Sequence, residues 1–138
     1  MTRQDLKDYR KNQEWLKDRL EYIEEYKTQL TKITNVLSDM PKGSRKVNDK
    51  IAENIAILYD NIEDFLKQTR VETKKQKAIL NQLQEVEQPY RLILEKIYIQ
   101  GKFLYVVADE MEYSYKHLCR QHGIALNIFD KAGQTTSQ

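Results

Sequence analysis

Residues 104–129 read LYVVADEMEYSYKHLCRQHGIALNIF, and this stretch decides the fold. Its first eight residues place Val107, Ala108 and Met111 on one helical face. Glu112 and Tyr113 make a turn, and Ser114 stands where a hydroxyl can accept a free amide of the next helix. That helix carries Leu118, Ala125 and Phe129 at inward spacing, with Tyr115, Lys116, His117, Arg120 and Gln121 on the opposite face. Two helices joined by a tight turn, with a small Ala108 where they cross, form a helix-turn-helix pattern. The outward side chains have chemistry suited to a DNA major groove. Arg120 and Lys116 reach phosphates or guanine, Gln121 pairs with adenine, and Tyr115 and His117 reach backbone or base edges.

Upstream of this pair, Pro89 suits the first turn of a helix, where its missing N–H is not needed. The run 90–99 puts Leu94, Ile97 and Tyr98 on one face, and Gly101 with Lys102 closes it. The reading is a three-helix module over 87–131. Downstream, the polar end Gly133-Gln134-Thr135-Thr136-Ser137-Gln138 has nothing apolar to bury, so 132–138 is expected to be a disordered tail.

The first 86 residues follow a different rhythm. Tyr9, Leu16, Ile23, Leu30 and Leu37 recur every seven residues, with Leu6 and Leu20 in the companion position, which otherwise holds Gln13, Lys27 and Thr34. A second stripe runs Ile51, Ile55, Leu58, Ile62, Phe65, then Thr69, Glu72 and Gln76, then Ile79, Leu83 and Val86. Pro41 and Gly43 break the chain between them, placing a turn at 39–47 with Ser44 or Asn48 as cap. If the two helices fold back there, the polar stretch 72–77 faces the equally polar 9–14. The expectation is therefore an antiparallel coiled-coil hairpin over 1–86, each arm about 50 Å long at about 1.5 Å per residue. The whole chain reads as all-α.

Composition agrees. Only 4 Gly and 2 Pro in 138 residues are too few for a sandwich or barrel, which needs a turn every ten residues or so. No run approaches the roughly 18 apolar residues of a membrane span, and the polar first residues lack the apolar core of a signal peptide, so none is expected. A single cysteine, Cys119, makes no internal disulfide and fits a reducing cytosol. His117 and His122 are five apart, do not share a helical face and have no second Cys or His cluster, so no metal is expected. Asp109, Glu110 and Glu112 lack a nucleophile, a phosphate loop or a His partner. Neither a cofactor nor an enzymatic activity is expected.

The runs P-Y-R-x-I-L-x-x-x-Y-I-x-G-K from Pro89, V-A-D-E-M-x-Y-S-Y-x-H and A-L-x-x-F resemble the promoter-reading helix-turn-helix of sigma factors. With the S-D-M-P-K-G loop at 38–43, the chain over roughly 10–130 is similar to small phage and phage-island proteins, the late transcription activators of the RinA, ArpU and LtrC type. The resemblance implies a phage-encoded, DNA-binding transcription regulator in the cytoplasm of a bacterial host. In it Ser114 caps the recognition helix, and Tyr115, Lys116, His117, Arg120 and Gln121 face double-stranded DNA. The chain departs from such modules at three places. Phe103 replaces a small hydroxyl cap, His122 fills a commonly apolar position, and Gly123 interrupts the recognition helix at about 1 kcal/mol relative to Ala, marking a weak point.

Charge narrows the partners. The formal net charge is +2, and residues 89–138 hold 6 Lys/Arg against 5 Asp/Glu, a module of net +1. Phosphate neutralisation supplies much of DNA affinity, so such a module needs a second copy, a dimer being favoured, or bacterial RNA polymerase to hold it in place. Lys102 and the cluster Lys74, Lys75 and Lys77 are the candidate phosphate contacts outside the recognition helix. Two rivals share the pattern. One is a DNA-packaging adaptor of the small-terminase kind, and the other is a protein-interaction module that uses the sigma-like fold without touching DNA.

Overall fold

A computed structural model describes residues 1–39 and 45–136, and every regular element among them is helical. In chain order these are α1 (Arg3–Lys7), α2 (Tyr9–Asp39), α3 (Arg45–Gln84), α4 (Tyr90–Leu94), which widens into a π-helical segment (Glu95–Ile99), α5 (Leu104–Glu110) and α6 (Tyr115–Thr136). The middle of the turn expected over 39–47, with Pro41, Gly43 and Ser44, lies outside the described residues. Asn48 falls inside α3. No helix among the described residues is long and apolar enough to cross a membrane.

The chain divides into two compact units, 1–13 together with 73–138, and 14–72. In the first unit, Leu6 and Tyr9 are buried with Ile79, Leu83 and Val86, and these five pack against Leu94, Ala125, Leu126 and Phe129. Of the first heptad stripe, Leu6, Tyr9 and Ile23 are buried, while Leu16 and Leu30 are half-buried. For 1–13 and 73–86, the partner they bury against includes the C-terminal helices. A second cluster of Ile93, Val107, Ala108 and Leu118 fills the space between α4, α5 and α6. Ala108 is 3% exposed, and at this crossing a larger side chain would push the helices apart.

Polar groups inside this unit are matched in pairs. Gln76 is buried in the second stripe, where its side-chain amide donates to the Tyr9 carbonyl at 3.3 Å and its oxygen accepts from Gln13 at 2.5 Å. Gln82, also buried, donates to the carbonyls of Met1 at 2.9 Å and Phe129 at 2.8 Å. Each amide would be costly to bury unpartnered, so together they hold the N-terminal residues against α3 and α6. Asp5 turns back to accept the Thr2 amide at 2.8 Å, which starts α1 with an acidic residue at its positive end.

The C-terminus differs from the sequence expectation. α6 runs without a break through Gly123 and on to Thr136, so 132–136 are helical where a disordered tail was expected. Tertiary contact overrides composition here. Gly133 is buried beside the Met1 carbonyl and the Gln82 side chain, a fit that no residue with a Cβ could make.

In the second unit, Ile23, Leu58 and Ile62 are buried. Tyr22 and Tyr26 stack on Phe65 with ring centres 6.2 and 5.7 Å apart. The Arg19 guanidinium lies 4.9 Å from the ring centres of both Trp15 and Phe65, an arrangement in which the cation gains from the negative ring faces. Leu20, expected in the companion stripe, is 51% exposed, and Ile57, Tyr59 and Val71 are exposed as well.

Candidate nucleic-acid interface

α5 ends at a turn whose hydrogen bonds account for its shape. The Tyr113 amide donates to the Ala108 carbonyl at 2.9 Å and the Glu112 amide to Asp109 at 3.2 Å, the paired closure of a left-handed helix stop. Glu112 supplies the left-handed residue itself, with φ of 60°. The chain then leads into Ser114, whose Oγ accepts the His117 amide at 3.1 Å while its carbonyl accepts the Leu118 amide at 2.9 Å. Ser114 is therefore an N-cap in geometry as well as in residue type.

The cap sets the direction of every side chain that follows. With Leu118, Ala125 and Phe129 fully buried, Lys116 and Arg120 point away from the core, one helical turn apart. Neither has an ion-pair partner among the described residues. Tyr115 and His117 are exposed too, and Gln121 is half-buried at the edge of the same surface. Two of these are already engaged. The His117 ring meets Tyr113 edge-on at 4.5 Å, and the nearby Cys119 thiol raises the Tyr115 phenol above its usual range.

The other candidates do not form one patch. Lys102 is held at Glu110, Nζ to Oε1 at 2.7 Å, while Lys96 takes the second oxygen at 2.6 Å. Those hydrogen bonds, Lys102 first, hold the Glu110 carboxyl below the usual carboxylate range. Lys74, Lys75 and Lys77 are exposed on α3; around a helix whose Gln76 points inward, Lys74 and Lys77 lie about 60° apart on one face and Lys75 about 100° or more away from both. No contact joins them to the face of α6 carrying Arg120 among the interactions described.

Two departures noted in the sequence now have a structural setting. Phe103 precedes α5 without a side-chain cap and stacks nearly parallel on Tyr105 at 5.8 Å, with both rings largely exposed. His122 is half-buried, and its Nε2 lies 2.7 Å from the Tyr98 hydroxyl. Burial first, then the charges of Lys7 and Arg3, push its imidazole below the usual range, and burial raises Tyr98. The pair is thus neutral near pH 7, and an aromatic ring with its polar edge satisfied fills an otherwise apolar position.

Comparison with protein-family models, with characterised proteins and with solved structures finds no match to this chain.

The residues that sequence reasoning missed lie at the N-terminus. Arg3, Lys7, Arg10 and Lys11 belong to the same compact unit as α4–α6. That unit holds 13 Lys/Arg against 9 Asp/Glu, a net of +4, whereas 14–72 hold 10 against 12, a net of −2. The near-neutrality of residues 89–138 taken alone therefore understates the charge of the compact unit to which α6 belongs. Basic residues near the N-terminus were visible in the sequence, but nothing local paired them with helices about ninety residues away.

Proposed function

We propose that this chain is a sequence-specific DNA-binding transcription regulator, in which α5, its turn and α6 form a sigma-like helix-turn-helix and α6 enters the major groove. The observation that carries the reading is the Ser114-capped helix with Lys116 and Arg120 turned outward and uncompensated, above a core of Ala108, Val107 and Leu118. The +4 charge of the same unit supports it, since cations around a recognition helix supply sequence-independent affinity and fix orientation.

In this reading the protein is phage-encoded, acts in the cytoplasm of a bacterial host and activates late genes with the host RNA polymerase. It has no enzymatic activity of its own. Residues 14–72 are the self-association or polymerase-contacting part, as an antiparallel hairpin. The stacking of Tyr22 and Tyr26 on Phe65 supports that pairing, and exposed Leu20, Ile57, Tyr59 and Val71 supply apolar surface for a second copy, with a dimer favoured.

Selection of bound fragments from a phage genome library, repeated at two salt concentrations, tests the proposal. A small set of fragments sharing one sequence, retained at the higher salt, is the expected result. Recovery of fragments without common sequence at low salt and of none at high salt would contradict it.

A further inference from the structure

Of the four cations near the N-terminus, Arg3 is committed to Asp130 and Asn127, but Arg10 is not committed in this way. Arg10 is exposed, and its guanidinium lies over Gly101, with Nη1 donating to the Ile99 carbonyl at 3.4 Å. This seat depends on the glycine twice. Gly101 has φ of 74°, which L side chains rarely adopt, and a Cβ there would stand 2.4 Å from Arg10 Cζ. Only a bare backbone lets the guanidinium lie flat at this corner. One long hydrogen bond uses one of five donors, and no other partner is found among the described residues.

The corner has a defined place in the motif. Gly101 comes two residues before Phe103, from which α5 starts, and Lys102 between them is already paired with Glu110. In a helix-turn-helix the first helix crosses the sugar–phosphate backbone while the second enters the groove. A planar cation with most of its fork unused, fixed beside the start of that first helix, is placed to bind a phosphodiester oxygen. We propose that Arg10, seated on Gly101, is a backbone-phosphate contact supplied by the N-terminal segment to the DNA-binding surface. The inference rests on the DNA-binding reading given above.

The test uses the full chain and the tightest fragment from the library selection. Binding is measured as a function of salt for wild type, Arg10→Gln and Lys116→Ala/Arg120→Ala. Glutamine removes the charge and keeps a polar side chain, though it is two bonds too short to reach the Ile99 carbonyl, so the melting temperature of Arg10→Gln is read beside its binding to separate the lost charge from a structural effect. The expected result is that Arg10→Gln lowers the slope of log affinity against log salt by about 0.9, weakens all sequences alike and leaves the preferred sequence unchanged. A neutral methylphosphonate placed at successive phosphates should weaken wild type at one flanking position where it no longer affects Arg10→Gln. An unchanged slope with an unchanged methylphosphonate profile overturns the Arg10 assignment. If the loss of sequence preference in Lys116→Ala/Arg120→Ala persists beside that result, the DNA-binding reading stands without it. If wild type binds no fragment, both fall.

Discussion

Arg3 and Asp130 form an ion pair, Nε to Oδ2 at 2.6 Å, that fastens the first helix of the chain to its last. The Arg3 amide donates to the other carboxylate oxygen at 2.8 Å, and Nη2 reaches Asn127 at 2.7 Å, so one residue engages α6 through side chain and backbone. The side chains are 40% and 27% exposed, and solvent screens the pair accordingly. Arg3→Met is expected to cost about 1 kcal/mol, within the range for exposed to half-exposed charged hydrogen bonds. Hydrogen exchange should locate the loss, with amides of 127–133 exchanging faster and those of 14–72 unchanged.

The glycines of α6 should respond in opposite directions to the same change. A Cβ at Gly123 meets nothing within 4 Å, so Gly123→Ala should stabilise the protein by about 0.5–1 kcal/mol through helix propensity and a less disordered unfolded state. A Cβ at Gly133 would stand 2.4 Å from the Met1 carbonyl oxygen, so Gly133→Ala should destabilise. Thermal melts of the two variants beside wild type check both signs. If both rise, the helical docking of 132–136 is wrong.

The turn between α5 and α6 carries a second pair of opposed predictions. Ser114→Ala removes the acceptor of the His117 amide and should cost about 1 kcal/mol. Glu112 holds φ of 60° with a side chain that disfavours it, so Glu112→Gly should stabilise by a fraction of 1 kcal/mol up to about 1 kcal/mol. Chemical denaturation with an unchanged slope against denaturant would show that each acts on stability alone.

Acid should act through His122. Its imidazole is held below the ordinary value of about 6.5, so the unfolded chain takes up the proton first and stability falls with decreasing pH. The contribution is fully present above that ordinary value and is lost as pH falls from there through the lowered folded value. Tyr98 works in the opposite range. Its phenol is raised, so its contribution is present below about pH 10 and is lost above it. His122→Gln, which leaves an amide for the Tyr98 hydroxyl, should flatten the acid side of the stability curve and leave the alkaline side in place.

Local periodicity made the helices and their buried faces legible. Ile23, Leu58, Ile62, Ile79, Leu83 and Val86 lie on the two stripes, and Val107, Ala108, Leu118, Ala125 and Phe129 lie on the inward face of the last two helices, all of them buried. Gln13 and Gln76, one from each of the polar stretches 9–14 and 72–77, share a hydrogen bond. What periodicity does not carry is the identity of the opposing surface. Leu6 and Tyr9 fit a heptad, yet they pack with Leu94 and Phe129, more than eighty residues away. Nor does it foresee that Arg10 lies over Gly101, since a glycine signals permissive backbone without saying what comes to rest on it. The helical end at 132–136 was hidden for the same reason, because its polar composition is overruled by contact with Met1 and Gln82.

The central claim is that the outward face of α6 reads DNA, and competition binding on the best selected fragment tests it most directly. Lys116→Ala/Arg120→Ala is compared with wild type on that fragment and on a scrambled duplex of equal length. Both residues are exposed and unpaired among the described residues, so the double variant should keep its melting temperature. The account predicts that wild type prefers the selected fragment by at least about a thousandfold and that the variant loses most of this preference. A folded double variant that binds the selected fragment as tightly and as selectively as wild type would contradict it.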